Sequence, residues 1–290
     1  SHKLDELFEV ADRVVVIRDG CVTAQIDMKE ATRQLLISRM VGRDLTAMYP
    51  KEGAPIGETI LEVQDLSTDW LKGISFHARR GEIFGIYGLM GSGHQEIGSA
   101  LFGKDIIHHG KILVNGKPAK IKRPMDAIRA GIAYVPAERK TEGLVLNQSV
   151  AVNTVAAYYS KTHPLFVNRK RDSQIAKKWI ESLSTKTPSE NTIVESLSGG
   201  NQQKVVLSKW LELKPDVLIL NEPTRGIDVG AKAEIYKILD RLVNEGKCVI
   251  IITSEMPELL AMSDRIMVMF EGKVSGFLDG KDATQESVVQ

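Results

Sequence analysis

Cysteine is nearly absent from this sequence. Cys21 and Cys248 are the only two in 290 residues, which excludes a disulfide framework and points to a reducing compartment. Long apolar runs are missing as well: stretches such as Val249–Ile252 fall far short of the ~18 residues a membrane span needs. The opening Ser1-His2-Lys3-Leu4-Asp5 has no apolar h-region, so no signal peptide is expected there. Neither sign of charge prevails. Lys and Arg number 38 against 37 Asp and Glu, a net charge of +1, which argues against a broad electrostatic footprint for nucleic acid. A membrane role would have to come through a partner. What is present, 43% hydrophobic and 26% charged residues, is the balance of a soluble globular protein.

The two ends of the chain are alike. Ala11-Asp12-Arg13-Val14-Val15-Val16-Ile17 followed by Gly20 matches Ser263-Asp264-Arg265-Ile266-Met267-Val268-Met269 followed by Gly272. The offset is 264 − 12 = 252 residues, Glu6-Leu7 and Glu258-Leu259 share it, and one gap brings Ser1 onto Ser254. A tandem duplication with this period makes residues 1–45 the C-terminal remnant of a first copy and residues 59–290 a whole second copy. Residues 46–58, with Pro50, Gly53, Pro55 and Gly57, read as the linker between them. The parent chain would have roughly 500 residues.

Within the remnant, the pattern predicts a helix near 4–10, a strand Val14–Ile17, a turn at Gly20 and a helix near 29–42. In the second copy, Leu61, Val63 and Leu66, then Ile74 and Phe76, predict two half-buried strands. Ile83–Tyr87 and Ile132–Val135 read as apolar strands, and Val217–Leu220 and Val249–Ile252 as parallel strands buried on both faces. Ile112–Val114 with Asn115-Gly116 reads as a hairpin arm. Ile235, Ile238, Leu239 and Leu242 keep helical spacing up to Gly246. Residues 143–213 are mostly helical in pattern, interrupted at Pro164 and Pro188. Strands alternating with helices predict an α/β fold on a parallel sheet.

The strand Ile83–Tyr87 runs into Gly88-Leu89-Met90-Gly91-Ser92-Gly93-His94-Gln95. Its glycines fit G-x-x-x-x-G-K-[ST], in which backbone N–H groups and a helix N-terminus cradle phosphates. The motif's Lys neutralises phosphate charge and its Ser/Thr holds Mg²⁺. Here His94 stands at the Lys position and Gln95 at the hydroxyl position. A neutral imidazole does not replace a permanent cation, and an amide is a poor Mg²⁺ ligand, so a spent motif competes with a bare glycine turn.

Leu197-Ser198-Gly199-Gly200-Asn201-Gln202-Gln203-Lys204 is followed by Asn221-Glu222-Pro223-Thr224-Arg225-Gly226-Ile227-Asp228. Ser198 suits an N-cap, Gly199-Gly200 admit a phosphate close to the backbone, and a helix from about Gln202 to Leu213 follows. An ordinary capped helix would also contain Ser-Gly-Gly. Together the two segments resemble the signature and Walker B/D-loop of ATP-binding-cassette ATPases. Their wording resembles the subfamily that energises import of monosaccharides such as galactose, methyl-galactoside and ribose. The resemblance covers essentially the whole chain, repeat included.

That resemblance implies a RecA-like P-loop NTPase sheet, an antiparallel β subdomain and a helical insertion near 143–213. It also implies ATP and Mg²⁺ as ligands, and two cassettes paired head to tail, each ATP lying between the phosphate loop of one and the signature of the other. Position by position, the phosphate-loop Lys is His94, the Mg²⁺ hydroxyl is Gln95, the Q-loop glutamine is Ala137 with Glu138 beside it, the Walker B Asp is Asn221 and the switch His is Glu255. Only Glu222, the base that orients water, keeps its type. Several lost charge-assisted contacts, each worth ~1.5–3 kcal/mol, should weaken Mg-ATP binding by orders of magnitude at the site built on Gly88, Gly91, Ser92, Gly93, His94 and Gln95. Ser198, Gly199, Gly200, Asn201 and Asp228 would serve the other site instead, with His2 as the first cassette's switch His. The isolated chain is expected to have negligible ATPase activity.

Implied partners are the first cassette, two transmembrane permease subunits and, beyond them, a sugar-binding protein, with no nucleic acid; the implied place is the cytoplasmic face of the cell membrane. Two rivals stand beside this. A non-transport cassette ATPase should show a basic surface or a long charged linker, and neither is seen. A structural pairing module would never bind nucleotide. Among lesser features, Trp70 lies near the family's adenine-stacking aromatic or is an ordinary tryptophan. His77, His108 and His109 lack a metal-ligand set. Val150–Tyr159 falls where the family receives a permease helix, or is subdomain core. Met256, Met262, Met267 and Met269 read as core packing.

Overall fold

In the computed structural model the described residues are 8–18, 21–32, 35, 36, 39, 49 and 51–289. Two sheets carry residues 59–279. The larger contains β5 (Ile83–Gly88), β8 (Ile132–Val135), β9 (Val217–Asn221), β10 (Cys248–Ile252), β11 (Arg265–Phe270) and β12 (Lys273–Asp279). Their order is β12-β11-β5-β10-β9-β8, parallel throughout except for β12. Every residue of β5, β8, β9 and β10 is buried, as expected where helices cover both faces of a parallel sheet. β12 instead alternates between half-buried and exposed, because it is the sheet's antiparallel edge.

The smaller sheet is antiparallel: β3 (Thr59–Ser67), β4 (Ile74–Arg79), β6 (His109–Val114) and β7 (Lys117–Pro118), in the order β4-β3-β6-β7. The β6–β7 turn is the expected Asn115-Gly116, both at positive φ (52° and 70°), the backbone a two-residue hairpin demands. Phe76 of β4 stacks on Phe84 of β5 at 5.4 Å between centroids, joining the two sheets.

Helix α1 (His94–Leu101) follows β5, and α2 (Pro124–Arg129) precedes β8. A π-turn at Arg139–Gly143 leads to a helical layer of α3 (Val150–Thr162), α4 (Arg169–Ser182) and α5 (Gly199–Leu211). Then come α6 (Val229–Asn244), α7 (Met256–Met262) and α8 (Gln285–Val289). Helix α5 starts three residues before the expected Gln202, because Ser198 turns extended (φ −61°, ψ 157°) and lets Gly199 open the helix. It ends at Leu211, and Lys214, at φ 51°, turns the chain ahead of Pro215.

Ahead of residue 46, β1 (Arg13–Arg18) and β2 (Cys21–Asp27) form a two-stranded antiparallel hairpin. Its register copies β11–β12 pair for pair at the 252-residue offset: Arg13↔Asp27 matches Arg265↔Asp279, and Ile17↔Val22 matches Met269↔Val274. The bulge is copied too, between Val16 and Ile17 as between Val268 and Met269. The surroundings differ. β11 lies beside β5, and Met267 and Met269 are 0% and 2% exposed; their counterparts Val15 and Ile17 on β1 are 48% and 66% exposed. The expected helix near 4–10 is seen at residues 8–10, with the rest outside the described residues. The helix expected from 29 is corrected at its start: Met28–Glu30 is a turn, tied by the Lys29 N–H to the Asp27 carboxylate, and helix appears at residues 35, 36 and 39.

Candidate nucleotide site and signature face

β5 delivers the glycine loop to the N-terminus of α1. Gly91 and Gly93 have φ of 84° and 86°, which other residues rarely adopt. A Cβ on Gly88 would lie 2.0 Å from Ser92 Oγ, so the loop folds tightly over its own first residue. At the position of the motif's cation, His94 is 3% exposed. Its Nδ1 lies 2.8 Å from the Ser92 hydroxyl, and its Nε2 is buried without a partner. Burial pushes the imidazole pKa down to about 4, so His94 is neutral at physiological pH.

The cleft beneath the loop, of about 420 Å³, is lined by His94, Gln95, Glu96, Glu222 and Arg225 among others. Arg225 is the only cation among its lining residues, and Glu138 holds it at 2.7 Å. Asn221 ends β9 and is 5% exposed. Its amide donates to the Gln95 carbonyl (3.4 Å) and to the Tyr134 hydroxyl (3.3 Å), leaving Oδ1 unpartnered. Glu222 adopts a left-handed backbone (φ 48°) and accepts the Ser254 N–H at 2.9 Å, which fixes a buried carboxylate at the cleft. Glu255 does not present an uncompensated charge: Lys232 Nζ pairs with its carboxylate, reaching Oε1 at 2.6 Å.

A second recess, of about 350 Å³, is lined by Ser198, Gly200, Asn201 and Asp228 with Lys186 and Lys237. Gly200 permits the approach of α5 to α6, since a Cβ there would meet Ala231 Cβ at 2.4 Å. Ser198 occupies the N-cap position of α5 but makes no side-chain cap bond. Its Oγ accepts from Asn201 Nδ2 at 2.9 Å, because that amide sits within reach one turn on, and Asn201 Oδ1 in turn accepts the Lys186 N–H at 2.8 Å. Asp228 caps α6 through the Ala231 N–H at 2.9 Å. Ser198, Gly200, Asn201 and Asp228 thus come together, in a recess whose lining shares no residue with the His94–Glu222 cleft. His2 lies outside the described residues.

Arg139 was not legible as a site residue. Its guanidinium donates to the carbonyls of Arg225 (2.6 Å) and Gly226 (3.0 Å), and a Cβ on Gly199 would lie 2.8 Å from it. Ala137 and Glu138 therefore belong to a strap that crosses to the segment after Glu222. Only the charged run Glu138-Arg139-Lys140 hints at it, and nothing local tells that the partner is 86 residues away. Trp70 is 66% exposed, and its carbonyl packs on Gly272, whose N–H donates to the Ser92 carbonyl. His108 pairs with Asp69, His77 lies between Arg79 and Arg265, and no metal-ligand cluster occurs among the described residues. Val150, Val155 and Ala157 of α3 are core, while Val152 is 47% exposed. Met262, Met267 and Met269 are core and Met256 packs beside Leu259 and Ile266.

The chain is similar to known proteins along its whole length. A ribose import ATP-binding protein of Clostridium tetani is 45% identical over 293 residues, covering 100% of this chain and 58% of its own length. A galactose/methyl galactoside import ATP-binding protein of the same organism is 47% identical over 296 residues, with the same coverage of 100% and 58%. The chain thus spans under two thirds of the length of these relatives. A crystal structure of the ADP conformation of an ATP-binding cassette of an ABC transporter superposes with a TM-score of 0.69 at 19% identity, covering 80% of this chain and 96% of that one; this supports the RecA-like fold. Among the described residues no helix is long and apolar enough to cross a membrane. Residues 71–225 match the family model described as ABC transporter. That match takes in both the glycine loop and the signature, and the chain belongs to the ABC transporter family.

Proposed function

We propose that this chain is the signature-donating half of the ATP-driven motor of a monosaccharide importer, and that its own nucleotide site is degenerate. The observation that carries this is His94, buried and neutral at the place where a cation would meet the β- and γ-phosphates. Phosphoryl transfer depends on positioning and charge stabilisation. The cleft offers two carboxylates, Glu96 and Glu222, against one guanidinium already held by Glu138. Asn221 commits its amide hydrogens to Gln95 and Tyr134. These residues do not fit Mg-ATP, and Glu222 has no metal-bound phosphate to work on.

The opposite recess has what a partner's nucleotide needs. Ser198 accepts from Asn201 and makes no other side-chain hydrogen bond among the described residues, Gly199 and Gly200 open the helix, and Asp228 lines the recess. The site it completes would use the phosphate loop of a first cassette, with His2 as that cassette's switch. The β1–β2 hairpin supports such a cassette: it repeats the edge hairpin of the second copy while its apolar face stays uncovered. In the whole motor, ATP binding would close the pair, hydrolysis reopen it, and two permease subunits on the cytoplasmic face of the membrane carry the motion to the sugar. The sugar class rests on the import proteins this chain resembles. Titrating the 290-residue chain with Mg-ATP by calorimetry should give no tight saturable binding and no phosphate release; tight binding with turnover would contradict the proposal.

A further inference from the structure

The turn between α3 and α4 holds three large apolar side chains in a row. Leu165, Phe166 and Val167 are 94%, 85% and 69% exposed. Single exposed apolar residues are ordinary, but a contiguous exposed patch marks an interaction site. The turn is pinned at both ends. His163, at φ 42°, closes α3 with its N–H on the Tyr159 carbonyl at 3.0 Å. Asn168 caps α4 by accepting the Arg171 N–H at 3.0 Å. The Tyr159 hydroxyl accepts the Asn168 N–H (3.1 Å) and donates to Asp172 (2.7 Å). The apolar residues are held outward on a fixed base.

Their flanks carry one sign of charge. Lys161, Arg169 and Lys170 are exposed, none has an ion pair among the described residues, and no Asp or Glu occurs from 161 to 171. This is a local departure in a chain whose net charge is +1. A protein partner usually reads a helix face or a strand edge. Here the apolar residues are consecutive on a convex turn and ringed by unpaired cations. That pattern fits an anionic bilayer surface, whose acyl boundary takes apolar side chains and whose headgroups take Lys and Arg.

We propose that the α3–α4 turn is a lipid-contact site, with Leu165, Phe166 and Val167 entering the interface of an anionic membrane and Lys161, Arg169 and Lys170 meeting its headgroups. The test is sedimentation of the 290-residue chain with vesicles of phosphatidylcholine alone and of equal parts phosphatidylcholine and phosphatidylglycerol. The chain should partition onto the anionic vesicles, less so at high salt. The combined Leu165→Ser, Phe166→Ser and Val167→Ser variant should lower the partition coefficient about tenfold or more. Lys161→Gln, Arg169→Gln and Lys170→Gln together should lower it similarly and remove the salt dependence. All six side chains are solvent-exposed, so circular dichroism should show both variants folded. The triple serine variant also separates this turn from the uncovered face of β1. Partition unaffected by these substitutions, no partition onto anionic vesicles, or binding only to vesicles that carry the permease would each overturn the proposal, the last in favour of a protein contact.

Discussion

His94 is buried and held by a single polar contact, the Ser92 hydroxyl. An unfolded histidine titrates near 6.5, while burial lowers the folded value to about 4. Between those values the unfolded state binds more protons. The stability His94 contributes is therefore complete above about pH 6.5 and is lost as pH falls toward 4. A shift of this size corresponds to about 3 kcal/mol at the acid end. His94→Gln should flatten the dependence of the denaturant midpoint on pH across that window, and an unchanged slope would place the titration elsewhere. His94→Lys restores the missing cation. If charge is what the cleft lacks, this single change should raise ATP affinity about tenfold or more, from one charge-assisted bond of ~1.5–3 kcal/mol, measured by calorimetry on the variant.

Helices α5 and α6 touch where both lack side chain bulk. Gly200→Ala would bring a Cβ to 2.4 Å from Ala231 Cβ; overpacking of this kind costs roughly 1–3 kcal/mol, and a thermal melt should show a drop of a few degrees. The strap from Arg139 is the other tie at this end of the fold. Arg139→Ala leaves the Arg225 and Gly226 carbonyls without their donor and should cost about 1–2 kcal/mol in a denaturant titration, with Arg139→Lys recovering part of it. The elements themselves were largely legible. β9 and β10 announce themselves as apolar runs because both of their faces are covered, and Asn115-Gly116 announces its hairpin because few other pairs accept that backbone. The start of α5 was missed by three residues because glycines are poor helix formers, yet close approach selects them, to Arg139 and the Gly226 carbonyl at Gly199 and to Ala231 of α6 at Gly200. The place of His94 in the glycine loop was read from motif spacing, and those of Asn221 and Glu222 from the family resemblance. Their chemistry was legible only in kind: that His94 is neutral by burial, that Asn221 is tied to Tyr134, and that Lys232 pairs with Glu255 all depend on neighbours distant in sequence.

At the scale of the molecule, the β1–β2 hairpin repeats the register and the bulge of the β11–β12 edge hairpin. Val15 and Ile17 are open where Met267 and Met269 are closed, and relatives extend well beyond the length of this chain. In a parent with a first cassette, a cysteine placed by Val15→Cys should be protected from a thiol reagent, while the same substitution in the 290-residue chain should react freely. The central claim is that this half lends its signature to a partner's ATP and hydrolyses none of its own. The most direct measurement is steady-state ATP turnover by the two-cassette parent with its permease, comparing Glu222→Gln with Gly199→Asp. Turnover close to wild type in Glu222→Gln and loss of turnover in Gly199→Asp is the predicted result. Loss of turnover in Glu222→Gln, with Gly199→Asp still active, would contradict it.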